Sequence, residues 1–190
     1  THIYATLSNL NAESLFEIDS PIASRQDFDK DLQRIYSVIE NLLTRSGINR
    51  SKLMGIGIAA AGYINKNGII EYSPNFSWKN VDLHRPLVDK FQIPVIIENV
   101  SRVMAMSELY FGRHGLKDFA FISVGYGLGS GIIANGKPFT GFNGIAGELG
   151  HTRINPPAHH NKRKCVCGKY NCLECFVSGR GIRQSAVEGL

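Results

Sequence analysis

The sequence predicts an α/β protein, and three observations carry that prediction. Residues 52–65, "KLMGIGIAAAGYIN", read as an apolar strand running into a glycine turn. Residues 93–99, "IPVIIEN", read as a second apolar strand. Segments with apolar residues at helical spacing neighbour both, one ending at Gly47 and one running through "SRVMAMSELYFG" to Gly112. Continuous apolar strands alternating with amphipathic helices are the pattern of a sheet covered by helices.

In chain order, "THIYATLSN" alternates as a strand, "LNAE" turns, and "SLFEIDS" returns, which predicts a hairpin. The next segment, residues 24–47, carries Phe28, Leu32, Ile35, Ile39 and Leu42 on one helical face. Ser24 stands where a cap would be, Asp27 lies three residues on, and Gly47 supplies the stop. After the apolar strand, "NGIIEYS" predicts a short strand leaving the Asn67-Gly68 turn, and "LVDKF" a helical turn. "FAFISVGYGLGSGIIANG" predicts two strands joined by a glycine-rich turn. Residues 136–172 are loop-rich, and the tail from Glu174 reads as a helix interrupted at Gly179 and Gly181.

Composition narrows the class. The 190 residues are 43% hydrophobic and 19% charged, as in ordinary globular domains. No apolar run approaches the ~18 residues of a membrane span. The opening residues lack a basic region followed by an apolar core, so a secretory signal is not expected, and a cytoplasmic, reducing setting is. The net charge is +5, with Lys162, Arg163, Lys164, Arg180 and Arg183 contributing to the excess. No aromatic residues interleave with them as in a nucleic-acid surface, so "NKRKC" reads as a solvated loop.

The chemistry is concentrated in "CVCGKYNCLEC", residues 165–175, which holds all 4 cysteines. A disulfide framework suits secreted chains, and the spacing C-x-C differs from the C-x-x-C of thiol redox pairs. Structural zinc instead takes four sulfur or nitrogen ligands in a tetrahedron. Cys165, Cys167 and Cys172 can reach one ion, with Gly168 relaxing the backbone between them. The fourth ligand is open on spacing alone among Cys175, His151, His159 and His160. His151 lies in "GELGH", where a helical turn would point it the same way as Glu148.

"GELGH" followed by "CVCGKYNCLE", both after "SVGYGLGSGII", resembles the ROK family of repressors, open reading frames and sugar kinases. The resemblance extends upstream through "GIGIAAAGYINKNGIIEYSPNFSW" and "VIIENVSRVMAMSELYFG". It implies the actin-like, hexokinase-like (ribonuclease H-like) two-lobed α/β fold, with sugar and ATP held in the cleft. Residues 1–112 would form a first lobe lacking its first strand. Residues 113–190 would begin the second lobe, with the glycine hairpin, sugar turn and zinc loop. The same resemblance implies His151, Cys165, Cys167 and Cys172 as zinc ligands, with Cys175 a spare buried thiol. Asn75, Asn99, Glu148, His151 and Glu174 would face the sugar. Backbone N–H groups of Gly125, Gly127 and Gly129 suit phosphate, though they equally suit a tight hairpin.

One departure matters for function. The family's kinases follow the asparagine at this point with an aspartate, the general base for the attacking hydroxyl. Here Val100 follows Asn99. Valine cannot accept a proton, and general-base catalysis contributes roughly 10²- to 10⁴-fold. Glu98 should point to the opposite face of the strand from Asn99 and would not replace the base. A first phosphate loop of the D-x-G-x-T type does not occur, "AAAG" replaces the usual x-P-G, and Tyr126 replaces a small threonine. With the family's first strand and its far end both absent, the chain resembles the middle of a ROK protein, and no helix-turn-helix is recognisable in it. The expectation is a sugar-sensing effector domain of a transcriptional regulator, binding a sugar or sugar phosphate and structural zinc, without ATP chemistry. It would reach DNA only through a domain outside this chain and assemble as a homodimer or homotetramer. The competing expectations are an ATP-dependent hexose or N-acetylhexosamine kinase, and a zinc-stapled structural domain with no ligand.

Overall fold

A computed structural model describes residues 2–21, 27–156 and 162–189. The first hairpin pairs β1 (His2–Ser8) with β2 (Ser14–Pro21), antiparallel, in the register His2↔Pro21 to Leu7↔Phe16. Asn9 makes the turn: its Oδ1 accepts from the N–H of Asn11 at 3.0 Å and of Glu13 at 3.1 Å. Helix α1 (Phe28–Ser46) begins at Asp27, whose carboxylate accepts from the Lys30 N–H. Ser24, the cap anticipated from sequence, lies outside the described residues. Gly47 closes the helix in the left-handed region at φ 66°, where a side chain would be strained. Leu32, Val38 and Leu42 are buried beneath it.

Strands β3 (Ile56–Ala60) and β7 (Val95–Asn99) form a two-stranded sheet, and the Ile56 N–H donates to Pro94 O at 2.8 Å. Both read from sequence as apolar strands, and their burial alternates. In β3 only Ala60 is buried, while in β7 Val95 and Ile97 are buried and Ile96 is 70% exposed. The period of two shows one covered face and one open face. Between them lie β4 (Tyr63–Ile64), β5 (Ile69–Ser73), β6 (Trp78–Asp82) and helix α2 (His84–Phe91). β5 and β6 pair antiparallel from Ile69↔Asp82 to Ser73↔Trp78. The polar "WKNVD" carries little strand signal, and β6 was not anticipated. Trp78 holds it, stacked on Phe76 at 4.7 Å and edge-on to Phe28 at 5.6 Å. Leu87 and Phe91 of α2 are fully buried, each contributing about 1.5–3 kcal/mol.

Helix α3 (Val100–Phe111) starts on the Asn99 cap and ends where the Gly112 N–H donates to Glu108 O. It packs on a three-stranded antiparallel sheet of order β10-β9-β8, made of β8 (Phe119–Val124), β9 (Leu128–Ala134) and β10 (Lys137–Pro138). The approach of α3 requires glycine at 131: a Cβ there would lie 2.6 Å from the Ala105 Cβ. The β9–β10 turn uses Asn135 and Gly136, both at positive φ, as a tight hairpin demands. Helices α4 (Glu174–Val177) and α5 (Gly179–Glu188) end the described chain. The interruption anticipated at Gly179 and Gly181 falls at Ser178 instead. Its hydroxyl donates to Glu174 O at 2.6 Å and accepts from the Gly181 N–H at 3.2 Å. The two glycines lie within α5.

The chain divides into two compact units, Thr1–Ile58 with Gly68–Ile97, and Ala59–Asn67 with Glu98–Leu190. Among the described residues, no helix is long and apolar enough to cross a membrane.

Candidate metal centre and ligand turn

All the cysteines and the "GELGH" turn lie in the second unit. Three short segments are laced together there. Ile154 N–H donates to Asn171 O, Asn171 N–H to Arg163 O, and Cys165 N–H to Lys169 O, each at 2.8–2.9 Å. Gly168, at φ 88°, lets the chain reverse between Cys167 and Cys172. The "GELGH" segment forms a 3-10 turn, Leu149–His151, fastened where the Leu173 N–H donates to Thr152 O.

This lacing brings His151, Cys165, Cys167 and Cys172 together, their ligand atoms all within 4.8 Å of one another. His151 Nδ1 lies 3.5 Å from Cys165 Sγ, and the Sγ atoms of Cys167 and Cys172 are 3.7 Å apart. A tetrahedral zinc with bonds of about 2.3 Å to sulfur and 2.0–2.1 Å to nitrogen sets sulfur pairs about 3.8 Å apart and nitrogen–sulfur pairs about 3.6 Å apart. The group therefore fits a metal ion. Burial pushes the thiols of Cys165 and Cys172 up, so the thiolates a metal needs would form here only against a cation. Cys175, also buried, sits on α4 outside this group. His159 and His160, the other histidines considered from sequence, lie outside the described residues.

The imidazole is shared between two environments. Nδ1 faces the sulfurs, while Nε2 lies 3.9 Å from Glu148 Oε2. An ion on Nδ1 would leave the proton on Nε2 as a donor toward Glu148 and whatever binds beside it. Burial raises the Glu148 carboxyl to about 7; Arg102 opposes the rise and Glu174 adds to it. Near neutral pH such a group both donates and accepts, which suits a hydroxyl. The Tyr63 ring meets His151 edge-on at 6.2 Å, and burial lifts its hydroxyl to about 12.

The other anticipated site residues are placed differently. Glu174 is buried, and its carboxylate is already engaged by the Cys165 thiol at 3.1 Å, Arg180 at 3.2 Å and the Leu128 N–H at 3.4 Å. Asn99 caps α3, its Oδ1 accepting from Ser101 and Arg102 N–H, and its Nδ2 donating to Gly62 O at 2.9 Å. Val100 is the first residue of that helix. Asn75 is an exposed turn residue of the first unit, between β5 and β6. Of the hairpin glycines, Gly127 abuts the Glu174 carboxylate and Gly129 the Ser101 hydroxyl, while Gly125 faces open space. A recess of about 390 Å³ lies beside them, lined by Gly125, Tyr126, Gly179, Arg180 and Arg183.

Sequence reasoning missed two arginines. Arg102 and Arg163 are 5% and 2% exposed. Arg163 sits in the "NKRKC" run read as solvated. Alternation points its side chain inward between exposed Lys162 and Lys164, and that signal was available.

The ROK family profile matches residues 1–189. The chain belongs to the ROK family. Among ROK relatives, the xylose repressor of Caldicellulosiruptor bescii is 37% identical over 183 residues, covering 95% of this chain and 45% of the repressor. A glucokinase of Halalkalibacterium halodurans is 35% identical over 158 residues, covering 82% of this chain and 47% of the enzyme. A solved ROK transcriptional regulator, a homologue of the E. coli MLC protein, superposes with a TM-score of 0.83 at 28% identity, covering 99% of this chain and 47% of the regulator. The hexokinase-like, actin-like architecture anticipated from sequence is thus shown. The chain spans less than half the length of these ROK relatives.

Proposed function

We propose that this chain is the effector-binding part of a ROK transcriptional regulator that senses a sugar or sugar phosphate and has lost kinase chemistry. Residue 100 carries the reading. The kinases' aspartate would stand at the first position of α3, beside the Asn99 cap, and Val100 stands there instead. A neighbouring carboxylate does not take over, because Glu98 Oε1 accepts from Arg102 at 2.6 Å and from the Asn99 N–H at 2.6 Å. The xylose-repressor relatives and the MLC-like regulator support the same reading.

A structural zinc on His151, Cys165, Cys167 and Cys172 would supply cross-linking rather than reaction chemistry. Around it, the Leu149–His151 turn orients Glu148 and the His151 Nε2 toward sugar hydroxyls, and Glu174 braces the centre against the glycine hairpin. Regulation needs only different affinities for two conformations, not catalysis. Contact with DNA would run through a domain outside these residues, and subunits would pair as dimers or tetramers.

Calorimetry with D-xylose, D-glucose and their phosphate esters, alongside an ATP-coupled kinase assay, tests the reading. Sugar binding without turnover is expected, as is phosphorylation appearing in Val100→Asp. Turnover near one per second by the unaltered protein would instead establish the second reading, an ATP-dependent sugar kinase, which the glucokinase relative favours.

A further inference from the structure

Arg102 lies three residues past the α3 cap, and Asn99 Oδ1 accepts its backbone N–H at 3.2 Å. Its buried guanidinium divides between two acceptors. Nη1 donates to Glu98 Oε1 at 2.6 Å, and Nη2 donates to the backbone carbonyl of Gly144 at 2.6 Å. Gly144 lies in a folded turn. It has φ 76°, and a Cβ on it would lie 2.7 Å from Ile64 O. The Ala146 N–H closes the turn on Thr140 O at 3.0 Å, and Ser130 Oγ donates to Gly147 O at 2.5 Å. Glu148 follows immediately, and His151 begins three residues later.

This arrangement joins the strand-to-helix junction holding Glu98, Asn99 and Val100 to the turn that delivers Glu148. A planar guanidinium offers a separate nitrogen to each acceptor, where an ammonium offers one nitrogen to both. Glu98 fixes the guanidinium, and the guanidinium in turn fixes the Gly144 carbonyl. A turn held in its bound shape costs less to order when a ligand arrives.

Resting for its ligand arm on the reading of Glu148 and His151 as ligand-facing, we propose that Arg102 is a positioning residue that clamps the Thr140–Glu148 turn in its ligand-ready form. The clamp acts on the turn and leaves the zinc loop to its own lacing.

Hydrogen exchange by mass spectrometry on the zinc-loaded protein tests this directly, comparing the unaltered chain with Arg102→Met and the milder Arg102→Lys. Exchange across residues 141–151 is expected to accelerate about tenfold or more in Arg102→Met and less in Arg102→Lys, as loss of a charged hydrogen bond implies. Exchange across residues 165–177 and the zinc content should stay unchanged. Equal exchange across 141–151 in a folded variant overturns the proposal, as does acceleration that spreads equally to 165–177. Should Arg102→Met not fold, Arg102→Lys, which keeps the cation, decides. Calorimetry with D-xylose and D-glucose adds the ligand arm, where affinity should weaken about tenfold in Arg102→Met and less in Arg102→Lys. If the unaltered protein binds neither sugar, the sugar reading fails while the exchange result still stands or falls by itself.

Discussion

Arg163 donates to Glu188 Oε2 at 2.6 Å from a side chain that is only 1% exposed. The same guanidinium donates to Cys175 O, Gly181 O and Ser185 Oγ, and lies 4.9 Å from the centre of the Phe176 ring. A residue of the cysteine loop thereby ties α4 to α5. Replacing Arg163 with alanine would remove the cation that faces Glu188 Oε2 and the donor to the Cys175 and Gly181 carbonyls. A loss of about 3 kcal/mol or more in unfolding free energy is expected from urea denaturation. Arg163→Lys should recover only part of it, since one ammonium cannot meet all four acceptors.

Metal content discriminates among the cysteines. One zinc per chain is expected by elemental analysis of protein purified without chelator. Cys172→Ser or His151→Ala should abolish it, and Cys175→Ser should keep it. Chelation of the unaltered protein should lower the melting temperature, because the ion binds only the assembled site. A metal-free protein with an unshifted melting curve would remove the staple from the account.

Asn99 illustrates a cap at a site position. Asn99→Ala removes the oxygen accepting from Ser101 and Arg102, and should cost about 1 kcal/mol in stability. Asn99→Asp keeps that oxygen and should retain most of it. If Asn99 also meets a sugar, calorimetry will show Asn99→Asp binding more weakly than its stability explains.

Asp31 predicts a pH dependence. Burial raises its carboxyl above the ordinary value, Asp27 adds to the rise, and the Trp78 indole and Arg34 oppose it. A raised folded-state value means the native chain binds more protons than the unfolded chain, so this group costs stability as pH rises through that value. Asp31→Asn should therefore raise the melting temperature at pH 7. The gain should vanish below about pH 4, where the unfolded carboxyl also protonates.

Gly131 separates packing from turn-making. Gly131→Ala would drive a methyl into Ser101 O and Ala105. A loss of about 1–3 kcal/mol is expected, with β8–β9 pairing retained by circular dichroism.

Local pattern alone determined a good deal of this protein. Apolar spacing located α1 and α3, alternation located the first hairpin, and the run from Gly147 to Glu174 marked the metal-ligand residues by type and order. These signals are legible because each reports a short-range constraint: a helical period, a cap, or a donor that only sulfur and imidazole supply. Tertiary structure decided what those signals could not reach. It grouped His151 with Cys165, Cys167 and Cys172, and left Cys175 outside that group although it lies nearer in sequence. It turned Asn99 into a cap and filled the Glu174 carboxylate with Arg180, Leu128 and Cys165. It drew Arg102 inward, between Glu98 and the Gly144 carbonyl. The physical reason is shared: where a polar group ends up depends on which partners folding delivers, since a buried charge survives only among acceptors from distant segments.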